Sequence, residues 1–437
     1  MIRTVFAGAI ALIMAWPALA AVKINEITSP GGIKAWLVEE HSIPFTALEI
    51  RFKGGTSLDA PGKRGATLLM MALLEEGAGD LDSQGYAEAR EALAAEISFD
   101  AFDDGVSISA RFLTENKSEA LALVKLALTE PRFDQDAIDR VRAQVVSIIQ
   151  SEAKDPRDIA NRNFDRLAYG DHPYGSSRNG TIDSISALTR DDLIAAKAGV
   201  MARDRLYVSA VGDITSDEFG ALLDDLLGDL PETGAPFPPA IDVALTGGVT
   251  LVDFGSPQSV VAFGHAGIKR DDPDFFAAYL LNQALGGSGF AARLMEEVRE
   301  KRGLTYGISS YLVPMDLAET WQGSFASANE KVAEAIEVVR DEWAKAAAEG
   351  LTEAELDAAK TYLTGSYPLR FDGNERIANI LVGMQADDLP TSYLTDRNGY
   401  VEAVTLEDIK RVAAKFMQPE NLRFVVVGRP VGLEASN

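Results

Sequence analysis

The chain has 437 residues, of which 47% are hydrophobic and 24% charged, and it carries a formal charge of −25 at pH 7. That length suits two ordinary domains, each large enough to bury its own core. The acidity excludes nucleic-acid backbone as a natural ligand, since cationic side chains supply most of that affinity, and leaves basic partners or plain solubility as its uses.

The first twenty residues, MIRTVFAGAIALIMAWPALA, hold Arg3, an apolar run from Val5 to Trp16, then Pro17 and the small-residue triplet Ala18-Leu19-Ala20. A basic start, a short apolar stretch and a cleavage-like end predict a signal peptide over 1–20, cut after Ala20. The alternative, a retained anchor, asks for a longer apolar run than this one. An exported chain is expected, periplasmic if the source is a Gram-negative bacterium. No cysteine occurs anywhere, so thiol nucleophiles, thiolate metal sites and disulfides are all excluded.

Beyond the leader, AWLVEE (35–40), FTALEIRF (45–52) and GVSISARF (105–112) read as strands, interleaved with long helical patterns. The stretch RGATLLMMALLEEGAG (64–79) reads as an apolar helix ending near Glu75 and Glu76, two adjacent carboxylates best placed at its solvated end. ISALTRDDLIAAKAGVMARDRLYVSAVGDI, from Ile185, then aligns without gaps on VEAVTLEDIKRVAAKFMQPENLRFVVVGRP, from Val401. In both copies a threonine (Thr189, Thr405) caps an acid-led helix, and an apolar strand ends at glycine (Gly212, Gly428). PRFDQDAIDRVRAQVV (131–146) likewise resembles EGLTEAELDAAKTYLT (349–364). Between the copies, Pro231, Pro236, Pro238 and Pro239 mark a segment that neither pairs in a sheet nor continues a helix. The expected organisation is a tandem duplication: a first domain over 21–230, a linker over 231–244, and a second domain over 245–437. Each is expected to be α+β, a largely antiparallel sheet packed with helices.

Several segments resemble the inverzincin zinc peptidases, the family of pitrilysin, insulin-degrading enzyme and mitochondrial processing peptidase. They are GGTSLDAPGKRGATLLMMALLEEGAG, TEPRFDQDAIDRVRAQVV, HPYGSSRNGTIDSISALTRDDL, LLNQALGGSGFAARLMEEVREKRGLTYGISSYL and GSYPLRFDGNERIANIL, and their order and spacing are more specific than any one alone. The family motif H-x-x-E-H sets two histidines and a general base on one helix. Here those five positions are Leu68, Leu69, Met70, Met71 and Ala72, with histidines replaced at Leu68 and Ala72 and the base at Met71. The third ligand, a glutamate in the family, falls at Ser147 or Ile148. None of these carries a carboxylate or imidazole, so the resemblance implies no metal on this chain.

His41, His172 and His265 are isolated in sequence, and Ser151 with Lys154 makes a lone S-x-x-K without supporting motifs. What the resemblance retains lies in the second half, where VREKRGLTYG sets Arg299 and Tyr306 at the family's arginine–tyrosine spacing. Phe290, Leu294 and Val298 predict a helix with an apolar stripe, Lys301 and Arg302 suit its C-terminal end, and Gly303 suits the turn beyond it, with Tyr306 beginning the next strand. Arginine can hold peptide carbonyls, and a tyrosine hydroxyl can donate to a developing oxyanion. The plainer alternative pairs Arg299 with Glu296 and buries Tyr306 in the sheet. Gly286, Gly287 and Gly289 allow either close approach of peptide backbone or merely a tight connection.

The resemblance implies a non-catalytic, substrate-binding subunit of an exported two-chain zinc metalloendopeptidase acting on unfolded peptides. Its partner would be a similar chain carrying H-x-x-E-H, zinc and the general base. Two other readings stay open: a purely structural subunit, like the family's relatives among the core proteins of respiratory complex III, and a stand-alone exported peptide-binding protein.

Overall fold

The computed structural model describes residues 23–287 and 291–436. The expected leader, Gly289 and Phe290 lie outside them. Among the described residues no helix is long and apolar enough to cross a membrane.

The first half begins with strands β1 (Asn25–Thr28), β2 (Lys34–Glu39) and β3 (Phe45–Lys53), then helix α1 (Ala66–Ala72). A two-residue hairpin, β4 (Gly77–Ala78) and β5 (Leu81–Asp82), leads to α2 (Ser83–Ala92), β6 (Glu96–Ala101) and β7 (Gly105–Leu113). Five helices follow: α3 (Lys117–Thr129), α4 (Gln135–Glu152), α5 (Pro156–Tyr169), α6 (Ile182–Ala187) and α7 (Arg190–Val200). Strand β8 (Leu206–Gly212) and α8 (Ser216–Leu227) close this half. The second half repeats the plan with β9 (Gly248–Asp253), β10 (Gln258–Ala266), α9 (Phe275–Gly286), β11 (Ile308–Pro314) and β12 (Glu319–Ala328). Helices α10 (Val332–Glu349), α11 (Glu353–Ser366), α12 (Asn374–Ala386), α13 (Tyr393–Ala403) and α14 (Leu406–Phe416) precede the last strand, β13 (Arg423–Gly428).

The sheets show the duplication directly. One runs β1-β2-β8-β3-β7-β6, and the other, read in the same sense, runs β9-β13-β10-β12-β11. In each the last strand in sequence pairs parallel with the first long one, β8 with β2 and β13 with β9, while every other pairing is antiparallel. The α+β fold class and its duplicated sheet-and-helix plan are therefore present as expected. The threonine caps form where the pattern puts them. Thr189 and Thr405 each accept from the third backbone amide of their helix, and the acid there bonds back; Thr352, not foreseen as a cap, does the same for α11.

Each sheet buries one face against its own helices. In the first half Leu48, Ile50 and Phe52 of β3 meet α1, α3, α4 and α7 in one apolar cluster; in the second, Val261 and Phe263 of β10 meet α9, α10 and α14. The opposite faces are covered reciprocally. Helix α5 of the first half lies across β10 and β13, packing Ala160, Phe164, Ala168 and Tyr169 on Ala262, Val425 and Val427. Its counterpart α12 lies across β3 and β8, packing Ala378 and Leu381 on Ala47 and Val211. Gly264 makes the first crossing possible, because a Cβ there would stand 2.3 Å from the Trp321 carbonyl and 2.9 Å from the Phe164 ring. The proline-rich stretch between the halves is extended and fastened: Ile241 N donates to Leu317 O and Ala244 N to Ala168 O, both at 2.9 Å.

Candidate functional site

Helix α1 holds the five positions of the metal motif, and its side chains explain what they now do. Leu69, Met70 and Met71 are fully buried in the first core, while Leu68 and Ala72 pack at its margin. Helix α4 lies alongside, but Ser147 and Ile148 turn to solvent. Zinc does not fit this set. Two aliphatic groups, a thioether enclosed in hydrocarbon and an outward-facing isoleucine or serine offer neither imidazole nor carboxylate. Among the described residues no group of three or more histidines, aspartates or glutamates is placed to hold a metal.

The helix ends at Ala72, earlier than the apolar pattern suggests, so Glu75 and Glu76 stand in the turn beyond it. They are paired rather than simply solvated: Glu75 with Arg90 at 2.9 Å and Glu76 with Arg140 at 2.5 Å. Ser151 and Lys154 are both exposed at the end of α4.

The three histidines occupy separate structural roles. His41 Nδ1 bonds Asp213 at 2.7 Å, and that carboxylate, with Glu39, raises its pKa. His172 begins a short 3₁₀ turn and accepts from Tyr174 N at 3.3 Å, and burial lowers its pKa. His265 is enclosed in the second core, donating from Nδ1 to Ala266 O at 2.7 Å and accepting at Nε2 from the Trp343 indole at 3.1 Å. Burial drives its pKa down to about 4, so the ring is neutral near pH 7.

The second half holds the other two expected site residues, Arg299 and Tyr306. Residues Met295–Glu300 form a π-helical turn rather than the α-helix the apolar stripe predicts, with Lys301 N donating to Glu296 O at 2.9 Å. Leu294 and Val298 are nonetheless fully buried, as that stripe requires. Such five-residue spacings are rare and concentrate at functional sites. Arg299, half-buried on this turn, pairs with Glu300 at 3.2 Å; the predicted competitor, Glu296, pairs with Lys301 at 2.9 Å instead. Gly303 reverses the chain at φ +61°. Tyr306 follows in an irregular segment two residues before β11, so it does not begin the strand. It is 88% exposed, which rules out the buried-strand alternative. Gly286 settles the role of one glycine, since a Cβ there would stand 2.2 Å from Ser310 Oγ on β11, so close packing of α9 on the sheet requires it.

One feature escaped sequence reasoning. A cleft of about 680 Å³, lined by both charged and apolar side chains, lies between β6, β7 and α12, with Glu49 of β3 among them. The signal was the alternation in FTALEIRFK, which puts Glu49, Arg51 and Lys53 on one face, but nothing in the sequence says that a distant helix crosses that face.

Comparison with known proteins agrees with the geometry. Residues 187–363 match the family model described as the peptidase M16 inactive domain. The crystal structure of a peptidase M16 inactive domain from Pseudomonas fluorescens superposes with a TM-score of 0.88 at 30% identity, covering 95% of this chain and 100% of that one. A non-peptidase homolog of Helicobacter pylori is 26% identical over 394 residues, spanning 89% of this chain and 90% of the relative. An uncharacterized zinc protease of Streptomyces coelicolor is 26% identical over 404 residues, 89% of this chain and 86% of the relative.

Proposed function

The chain belongs to the peptidase M16 family as an inactive-domain member, and from that premise we propose that it is the non-catalytic, substrate-binding subunit of a two-chain zinc peptidase acting on unfolded peptides. The partner is a similar chain carrying H-x-x-E-H, and it supplies zinc and the general base. The assembly is exported, in the periplasm if the source is Gram-negative.

The observation that carries this reading is the contrast between α1 and the segment that carries Arg299 and Tyr306. The metal helix has been refilled as hydrocarbon core, whereas Tyr306 projects 88% exposed from a turn of unusual winding. An aromatic hydroxyl so exposed adds little to this chain's own packing and is available to a second molecule. In the assembly Arg299 donates its fixed fork to peptide carbonyls and orients the substrate. The Tyr306 hydroxyl donates to the oxygen on which negative charge develops during hydrolysis.

The test is cleavage of an unstructured peptide by this chain alone, by the partner alone and by the mixture, with zinc content measured for each. Cleavage by the mixture only is expected. Tyr306→Phe should lower kcat of the mixture by about a hundredfold, the usual scale for one lost oxyanion donor. A partner fully active alone, unaffected by mixing, would make this chain a scaffold or an independent binder. Zinc and cleavage in this chain alone would overturn the assignment of residues 68–72.

A further inference from the structure

Strand β3 sends Leu48, Ile50 and Phe52 into the first core and turns Ala47, Glu49, Arg51 and Lys53 toward α12. Glu49 is only 5% exposed, an unusual place for a carboxylate. Ser109 Oγ donates to its Oε2 at 2.8 Å, and among the described residues no other hydrogen bond reaches the side chain. The two other glutamates of the cleft are neutralised together: Arg111 pairs with Glu96 and, at 3.0 Å, with Glu375. Among the described residues Glu49 alone of the three has no ion pair. Burial raises its pKa from 4.5 to about 7, Asp100 and Glu375 push in the same direction, and Ser109 and Arg51 only partly offset them. Arg90 and Arg376 are the remaining charged groups on the lining, and Arg90 is engaged by Glu75.

The fold does not require this carboxylate. Aligning β3 with β10 on their equivalent partners, Gly212 and Gly428, puts Ala262 where β3 has Glu49. Ala262 is buried in the apolar seam under α5. A buried, poorly paired carboxylate is a cost that an alanine at the same place avoids. An opposite charge delivered by a ligand would remove that cost.

We propose that the Glu49 cleft binds the basic side chain of an extended peptide, its ammonium or guanidinium on Glu49 and its aliphatic stem along Ala47 and Ile380. Long basic side chains lay their methylenes on apolar surface while the head finds its counter-charge, and the lining offers both. The volume exceeds one side chain, and the cleft runs beside edge strand β6, leaving room for flanking residues. The ligand class is that of the proposed function, but the site needs neither partner nor zinc.

Calorimetric titration of the full chain alone separates the two proposals. The probes are an unstructured peptide with one central lysine, the same peptide with norleucine in its place, and N-acetyl-lysine amide. At pH 8 the lysine peptide should bind at least ~10-fold more tightly than the norleucine peptide. Glu49→Gln should abolish that preference, so that the two peptides bind alike. Ser109→Ala, which keeps the carboxylate, should retain it. Because Glu49 must be ionised to hold the cation, the preference should shrink about tenfold between pH 8 and pH 6. Equal binding of the two peptides, a preference surviving in Glu49→Gln, or no binding at millimolar peptide would each overturn the proposal. N-acetyl-lysine amide binding as tightly as the peptide would overturn the peptide as occupant. Failure of the mixing experiment leaves these outcomes untouched.

Discussion

The two reciprocal seams are built from the same elements and opposite chemistry. Under α5, strand β10 offers Val260, Ala262 and Gly264, and the seam is apolar apart from contacts such as Tyr169 Oη with Thr320 Oγ1 at 3.2 Å. Under α12, strand β3 offers Ala47, Glu49, Arg51 and Lys53, and hydrogen bonds do more of the joining: Ser209 Oγ to Ala378 O at 2.7 Å, Gln385 Nε2 to Val208 O at 2.9 Å. Lys53 also reaches the other half directly, pairing with Asp316 at 3.3 Å. One seam is a seal. The other tolerates charge and leaves a cleft beside it, and so covering a sheet does not by itself demand an apolar face.

Making the sealed side resemble the open one should produce the largest effect. Ala262→Glu places an unpaired carboxylate beneath α5 and is expected to cost on the order of 5 kcal/mol in urea unfolding; a variant as stable as the parent would show that this seam, too, admits solvent. Next comes Phe164→Ala, which empties the space that Gly264 leaves open, at about 4 kcal/mol. A loss below about 1 kcal/mol there would mean that α5 contributes little to holding the halves together.

The open side should respond to pH rather than to volume. Glu49 has a folded pKa of about 7 against 4.5 unfolded. Its contribution is fully present below pH 4.5 and is lost as pH rises through 7. Glu49→Gln should therefore match the parent near pH 4 and exceed it at pH 8 by at most about 3 kcal/mol. Parallel stability–pH curves would remove Glu49 from the account. Smallest of all is Tyr306→Phe, for which a stability change within ~0.5 kcal/mol is expected in the isolated chain. A larger loss, read from the melting curve, would make the tyrosine structural and weaken its assignment to a second molecule.

Much of this was open to reading in the chain alone. The repeat was visible because Thr189 and Thr405 perform the same capping chemistry, and Gly212 and Gly428 end equivalent strands. The fate of the metal helix was visible because leucine, methionine and alanine lack the necessary atoms, a matter of composition that no fold can reverse. Arg299 and Tyr306 were reached through resemblance, and the π-helical turn that carries Arg299 has no sequence signature to betray it. Glu49 was legible only as one member of an alternating face. Its burial depends on a helix more than 300 residues away, and local periodicity carries no information about which distant element covers a face.

That distance has a consequence for how the protein is made. Lys53 Nζ donates to Ala386 O across 333 positions of sequence, so the outer face of the first sheet stays bare until nearly the whole chain has been synthesised. Helix α5, meanwhile, is complete early and waits, with Phe164 uncovered, for strands that do not yet exist. Contacts of such separation form late and slowly, and a nascent chain with apolar surface waiting for its partner is exposed to misassembly. A ribosome stalled anywhere between Gly212 and Asn374 would therefore hold two unfinished faces rather than one finished domain.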